Sequence, residues 1–273
     1  MPYFIVLWLL VMIGCGPGIE QVRTREDLRR EEESPSIASR YEVSNAISTT
    51  VRPPLAPDER ELSFISPRGE KVVLRYRKTG RSIGKPNRGA LEGGTCIPDS
   101  GPHYIHMGKA NCGTDEMVAV LMWALGEVAR EFPGTPPVVL GALSRPGGGR
   151  VKPHKSHRSG RDVDIGFYAL NNRPLRTFEP LAPEEIDFQK TFFLMAYLVS
   201  SGRVQMIYVN HRLQPFLREA ARAMGYDQGQ LDWLFEYPRP RKSRKGVVRH
   251  EAGHYKHFHV RFACPREDKE CTD

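Results

Sequence analysis

The sequence predicts an α+β fold, a small antiparallel sheet flanked by helices, built as one domain over residues 62–273. Three observations support this. Apolar alternation and helical periodicity succeed one another along the 273 residues without a regular βαβ rhythm. Two distant segments, Asp162-Val163-Asp164-Ile165-Gly166-Phe167 and His257-Phe258-His259-Val260-Arg261-Phe262, alternate polar and apolar residues in the same way. A hydrophobic fraction of 40% supplies enough apolar material for one substantial core.

The chain opens with Met1-Pro2-Tyr3-Phe4-Ile5-Val6-Leu7-Trp8-Leu9-Leu10-Val11-Met12-Ile13-Gly14-Cys15, an apolar run too short to span a bilayer comfortably but of secretory length. Residues 1–15 therefore read as an export signal. Its Gly14-Cys15 end resembles a bacterial lipobox, in which Cys15 is acylated and becomes the mature N-terminus, although no Lys or Arg precedes the run. Secretion without lipid and an uncleaved anchor are the alternatives. Residues 16–61 are charge-dense, then Ser- and Pro-rich, with little apolar periodicity, and read as a flexible tether. A short surface helix over 23–33 is the structured alternative.

From Leu62 the pattern becomes strand-like, with Val72, Leu74 and Tyr76 interleaved with basic residues, before a Gly-rich stretch over 80–94. Thr114 or Asp115 caps a helix whose Met117, Val118, Val120, Leu121, Ala124, Leu125 and Val128 recur at helical spacing until Pro133-Gly134. Residues 138–143 read as a buried strand leading into Ser144-Arg145-Pro146-Gly147-Gly148-Gly149, a mobile loop. A second amphipathic helix follows over 184–201, a strand over 204–209 and a third helix over 215–224.

With Cys15 set aside, Cys96, Cys112, Cys264 and Cys271 form an even set, which in an exported chain suggests two disulfides. Three pairings are formally possible; the local ones, Cys96–Cys112 and Cys264–Cys271, close short loops and are preferred. A cysteine zinc site is disfavoured because no CxxC pair exists. The net charge of +8 and a pI of about 9.3 favour polyanionic neighbours: nucleic acid, anionic membrane or an acidic cell-wall polymer. The basic run over 239–249 has few aromatics and no recognised nucleic-acid motif, and an export signal stands upstream, so no nucleic-acid partner is expected.

Residues that carry chemistry cluster at the two alternating segments. As strands, they place Asp162, Asp164 and Gly166 on one face of the first and His257, His259 and Arg261 on one face of the second. Val163, Ile165, Phe167, Phe258, Val260 and Phe262 then point to the core. If the strands are neighbours, Asp164 meets His259 on the open face and His157, at the end of the preceding loop, completes a set of three ligands. Catalytic zinc characteristically has three protein ligands and a water. His257 lies on the same face, two residues from a ligand, and is the expected general base. His154 and His254 stand three residues before His157 and His257, placed to bind substrate, polarise its carbonyl or hold a second metal. A lone His is more often a surface or satisfied core residue. Two clusters on separate segments, each leading into an alternating strand, argue against that reading here.

His250-Glu251-Ala252-Gly253-His254 also matches HExxH, which binds zinc when it lies on a helix. The flanks argue against a helix: residues 239–246 show no apolar periodicity, the strand pattern begins within about four residues, and Gly253 lowers helix propensity.

The stretch Leu143-Ser144-Arg145 with Gly147-Gly148-Gly149-Arg150, followed by Ser156-His157-Arg158-Ser159-Gly160-Arg161-Asp162-Val163-Asp164-Ile165, resembles the penicillin-insensitive murein endopeptidases. Ser82-Ile83-Gly84 with Pro86-Asn87, Gly113-Thr114-Asp115, and His257-Phe258-His259-Val260-Arg261 with Ala263-Cys264-Pro265 and Cys271 extend the likeness over residues 82–271. The pattern is shared with D-Ala-D-Ala metallopeptidases and lysostaphin-like enzymes, so the resemblance implies a D-Ala-D-Ala metallopeptidase or hedgehog-like fold. It also implies one Zn(2+) on His157, Asp164 and His259, His257 as base, His154 and His254 as further active-site residues, and a Cys264–Cys271 disulfide. Such enzymes hydrolyse the D-alanyl-meso-diaminopimelyl crosslink of peptidoglycan with a zinc-activated water, and β-lactams, which trap a nucleophilic serine, do not stop them. Arg145 and Arg158 stand in loops suited to holding substrate carboxylates. The expected setting is periplasmic, with a lipid anchor at Cys15 and, because Gly16 rather than Asp follows it, a preference for the outer membrane. A carboxypeptidase or dipeptidase of the same group, or a non-catalytic zinc- and wall-binding module, are the competing classes.

Overall fold

The computed structural model describes residues 54–241 and 243–273, together with the backbone of Glu42–Val43. The apolar N-terminal run, Cys15 and the tether through residue 53, that backbone pair apart, lie outside the described residues. Every described element belongs to the unit Ile37–Asp273.

β1 (Glu42–Val43), β2 (Glu59–Ile65) and β3 (Lys71–Arg77) form an antiparallel sheet in the order β1-β3-β2. β4 (Arg81–Lys85) and β5 (Arg88–Glu92) form a hairpin around Pro86-Asn87, within the Gly-rich stretch of the sequence. Glycine hides these strands from a hydrophobicity pattern but is required by the packing: a Cβ on Gly89 would overlap the carbonyl oxygens of Ile83 and Lys85. β6 (Thr95–Cys96) pairs with β9 (Cys112–Gly113), and Cys96 lies directly opposite Cys112, to which it is disulfide-bonded. Cys264 and Cys271 form the second disulfide.

Between these two short strands come β7 (Ser100–Gly101) and β8 (Tyr104–His106). Helix α1 (Asp115–Glu131) follows, its N-cap Thr114 accepting a hydrogen bond from Met117 N and Phe132 N closing its end on Val128 O. β10 (Val138–Leu140) is shorter than the expected 138–143, although Gly141 N and Ala142 O go on bonding to the Asp164 backbone, and the space above Gly141 is taken by the Phe178 ring. β11 (Asp162–Gly166) follows the long loop, and helix α2 (Phe188–Ser200) begins four residues later than expected. Asp187 caps it by accepting from Lys190 N, while Pro183–Glu185 turns separately as a 3-10 segment. β12 (Val204–Val209), α3 (Gln214–Ala223), α4 (Gln228–Leu234), β13 (Val248–His250) and β14 (His257–Phe262) complete the chain.

The expected small antiparallel sheet is, among the described residues, a seven-stranded mixed sheet in the order β13-β12-β14-β11-β10-β8-β7. Its four middle strands, β12-β14-β11-β10, pair antiparallel throughout, as do β7 and β8, while β13 joins β12 and β8 joins β10 in parallel. The chain runs through α1 between β8 and β10, and through α3 and α4 between β12 and β13, and such helical crossovers return strands in parallel. The α+β class holds, with smaller sheets beside the larger one. Val163, Ile165, Phe258, Val260 and Phe262 from one face of the centre share a core with α1 and α2 residues such as Leu121, Leu125, Phe192 and Met195. Fully burying each such side chain contributes about 1.5–3 kcal/mol. The opposite face carries the candidate site.

Candidate metal centre

β11 and β14 pair so that Asp164 faces His259, Asp162 faces Arg261 and Gly166 faces His257. At its centre this face is not open, as the sequence suggested, but buried: Asp162 is 0% and Asp164 1% exposed, while His257 and Arg261 stay partly exposed. Residues 144–160 fold back over it. Ser144 Oγ donates to His157 O and accepts from Gly160 N, and His157 N donates to Asp162 Oδ2 at 2.8 Å. The resulting turn holds His157 at φ 64°, a left-handed conformation uncommon for a residue with a side chain. Gly160 N's neighbour in space, Thr114, donates its backbone N–H to Gly160 O, tying the start of α1 to the same turn.

Asp164 is the hub. Its Oδ1 lies 2.9 Å from His259 Nδ1, 3.3 Å from His157 Nε2 and 3.8 Å from His257 Nε2. Its Oδ2 makes no hydrogen bond, although His154 Nδ1 is 3.5 Å away. The tautomers sharpen the picture. His157 Nδ1 contacts the Leu143 carbonyl at 2.9 Å and must donate there, so a neutral ring turns the lone pair of Nε2 toward a carboxylate oxygen. His259 Nε2 sits 2.9 Å from Asp162 Oδ1 and donates in the same way, leaving Nδ1 facing Asp164 Oδ1. Lone pairs face lone pairs, an arrangement that calls for a cation between them. Without a metal, a proton fills the role at His259: burial disfavours its charged form, but Asp162 and Asp164 outweigh this and push it up to about 9. Burial likewise opposes the carboxylates, yet His259 at Asp162 and His157 at Asp164 hold both well below the usual range.

Two overlapping sets of ligand atoms lie within 4.8 Å of one another: His154, His157 and Asp164, and Asp164, His254 and His259. Imidazole nitrogens with a carboxylate oxygen suit a divalent transition ion such as zinc. Atoms bound at about 2.0–2.1 Å around a tetrahedral ion stand roughly 3.3 Å apart, the scale of the Asp164 separations. The residues present therefore fit a metal.

His257 differs from the others. Its ring stacks on Phe178, centroids 4.6 Å apart and planes 12° from parallel, and burial lowers it to about 4. It is neutral at ordinary pH. His254 lies 4.9 Å from it, ring to ring, and burial lowers both His254 and His154.

A model of the family described as penicillin-insensitive murein endopeptidase matches residues 82–273, the whole span from the β4 hairpin through the candidate metal centre. The chain belongs to that family. Penicillin-insensitive murein endopeptidases of Escherichia coli O9:H4 (strain HS), at 27% identity over 223 residues, and of E. coli K12 (strain DH10B), at 28% over 222, are similar to it. So is that of Shigella boydii serotype 18, also at 28%. Each alignment covers 75% of this chain and 74% of the relative.

Within this family member the HExxH match is not helical. His250 ends β13, its N–H donating to Glu236 Oε2 and its Nδ1 accepting from His211 N, and Glu251–His254 is a turn. Arg145 lines a groove that His154 also lines, whereas Arg158 does not line it. The expected mobile loop 144–149 is tied down, with Gly148 N bonded to Arg145 O and Gly149 N to Arg158 O.

Sequence reasoning passed over Asp162. It receives Arg261 Nε at 2.8 Å, His259 Nε2 and His157 N, so it fixes the ring orientation of one imidazole and the backbone of another. The signal was available: once Asp164 is set opposite His259, a period of two puts Asp162 opposite Arg261. Phe178 and Ser144, which act through packing and a turn, carry no such signal.

Proposed function

We propose that the protein is a zinc-dependent murein endopeptidase that hydrolyses D-alanyl-meso-diaminopimelyl crosslinks. The carrying observation is Asp164, a buried carboxylate met by imidazole lone pairs, in a chain whose family and similar relatives bear the murein endopeptidase name. In this reading His157, Asp164 and His259 hold one zinc, and His154 and His254 stand on either side, positioned to contact substrate or a second ion. Zinc bound there supplies a Lewis acid that acidifies water and polarises the scissile carbonyl. His257 acts as general base: depressed to about 4, its ring keeps a free lone pair at neutral pH, and Phe178 fixes its plane. Returning that proton to the leaving amine completes the hydrolysis, and no serine is acylated, which accounts for insensitivity to penicillin.

The setting follows from the same reading: an export signal over 1–15 lipidated at Cys15, a tether over 16–61 and the peptidase domain over 62–273, working on peptidoglycan from the periplasmic side of the outer membrane. The test is incubation with purified crosslinked peptidoglycan, with and without chelator, and product identification by mass. Conversion of dimeric to monomeric muropeptides that stops with chelator, and falls roughly 10²–10⁴-fold in His257→Ala, is expected. Release of free D-alanine instead would assign the carboxypeptidase class, and an unaltered rate in His257→Ala would remove its role as base.

A further inference from the structure

Beside the metal centre runs a groove whose walls are the Met107–Ala110 turn and residues 142–152. Ala110, Ala142 and Val151 form part of its lining, which also includes His154, whose Nδ1 is 3.5 Å from Asp164 Oδ2. Its charged lining is entirely cationic: Lys109, Arg145, Arg150 and Lys152, with no Asp or Glu. Among the described residues, none of these four makes an ion pair or a side-chain hydrogen bond, and all four side chains are on exposed residues. Cations elsewhere on this surface are commonly matched, as in Arg60 with Glu267, Arg81 with Glu92, and Arg173 with Glu179.

Four like charges gathered along one groove, Lys109 from one wall and the other three from the opposite wall, repel one another, and the repulsion is relieved when an anion lies among them. The walls are fixed rather than adaptable. Met107 N bonds to Leu140 O and Leu143 N to Ala110 O, which ties both sides to the end of β10. Gly148, at φ 73°, is wedged so closely that a Cβ would overlap Leu91 N and Arg158 O, anchoring the Arg145–Arg150 stretch on the β4-β5 hairpin. A preformed cationic channel leading to a hydrolytic centre fits an extended acidic peptide, because carboxylates can pair in sequence along it.

We infer that this groove is the subsite for the carboxylates of an acidic stem peptide flanking the scissile bond. The inference rests on the endopeptidase reading above and names what that reading leaves open: which surface recognises substrate charge. In a D-alanyl-diaminopimelyl crosslink a carboxylate sits on the same carbon as the scissile nitrogen, so a substrate placed at the centre carries negative charge to the mouth of the groove. Arg145 and Arg150 supply planar forks for bidentate pairing, and Lys109 and Lys152 supply point charges.

The test uses the zinc-loaded full chain and two crosslinked dimers that share the same bond, one with free diaminopimelyl carboxylates and one with those carboxylates amidated. Alongside it, the metal-free protein is co-sedimented with intact and with amidated sacculi. The wild-type chain is expected to favour the free-carboxylate dimer by roughly tenfold or more in kcat/KM, the scale of one charge-assisted contact. The combined variant Arg145→Gln, Arg150→Gln, Lys152→Gln is expected to lose that preference and its extra binding to intact sacculi. Arg145→Lys with Arg150→Lys, which keeps the charge, restores most of both and controls for misfolding. Equal kcat/KM on the two dimers, or a preference that survives the Gln substitutions, overturns the subsite. If the wild-type chain cuts neither dimer, the endopeptidase reading fails separately, and sedimentation decides the groove. A Gln-variant loss confined to intact sacculi supports it, while equal loss on amidated sacculi marks general attraction to the polymer and overturns it.

Discussion

Two buried charge clusters in this molecule use their carboxylates differently. At the start of α1, every oxygen is matched by a fixed donor. Glu116 takes Arg203 Nε at 2.6 Å and Tyr76 OH, and Asp115 takes the N–H groups of Thr79 and Gly80 and the hydroxyls of Thr79 and Thr95. At Asp164 one oxygen makes no hydrogen bond and the other faces imidazole nitrogens whose protons are committed elsewhere. The first cluster is complete as folded and joins α1 to β3 and to Arg203. The second is complete only with a cation, which separates a structural charge network from a binding site even though both are buried.

The largest expected effect tests that difference directly. Asp164→Ala should reduce murein hydrolysis to background and abolish zinc retention measured by elemental analysis, yet lower the denaturation midpoint of the metal-free protein less than Arg203→Ala does. A midpoint loss at Asp164 as large as at Arg203 would erase the distinction. Next in size, Arg203→Ala leaves Glu116 buried without its cation and should cost about 3–5 kcal/mol in urea unfolding. A cost below about 1 kcal/mol would mean that this cluster is not a closed network.

Asp162 lies between the two types: buried and fully matched, but matched partly by a site imidazole. Asp162→Asn should weaken zinc affinity roughly 10–100-fold in competition with a chromophoric chelator, while Arg203→Ala variants that still fold retain affinity. The smallest effect concerns pH. In the metal-free protein His259 is raised from the ordinary 6.5 to about 9, so it favours the folded state fully below pH 6.5 and loses that contribution as pH climbs through 9. Metal-free stability should fall over that window in urea unfolding, and the slope should flatten in Asp162→Asn. His257, lowered to about 4, works in the opposite sense, its contribution being present above 6.5 and lost as pH falls toward 4.

The centre was legible in part because its strands advertise themselves. Asp162–Gly166 and His257–Phe262 alternate cleanly, and the structure pairs them with Asp164 opposite His259. The β4-β5 hairpin was not legible, since Gly84 and Gly89 replace the side chains that would have marked its faces. The burial of the site face was missed because it depends on the turn over residues 144–160, which is held by Ser144 and the Asp162 carboxylate rather than by apolar residues. The groove was missed for a related reason: Lys109 and Arg150 are separated in sequence by β9, α1 and β10, and line one groove because β8 and β10 are neighbours.

The amino-acid sequence by itself determined the α+β class, the strand period, the donor types at His154, His157, Asp164, His254, His257 and His259, and the likeness to a family. These are local properties, readable from residue chemistry and spacing. Tertiary structure decided the mixed sheet, the register that joins residues 95 positions apart, the hydrogen bonds that direct each imidazole lone pair, and the unpaired cations beside them. Those depend on which distant segments exclude water together, and no periodicity within either segment encodes its partner.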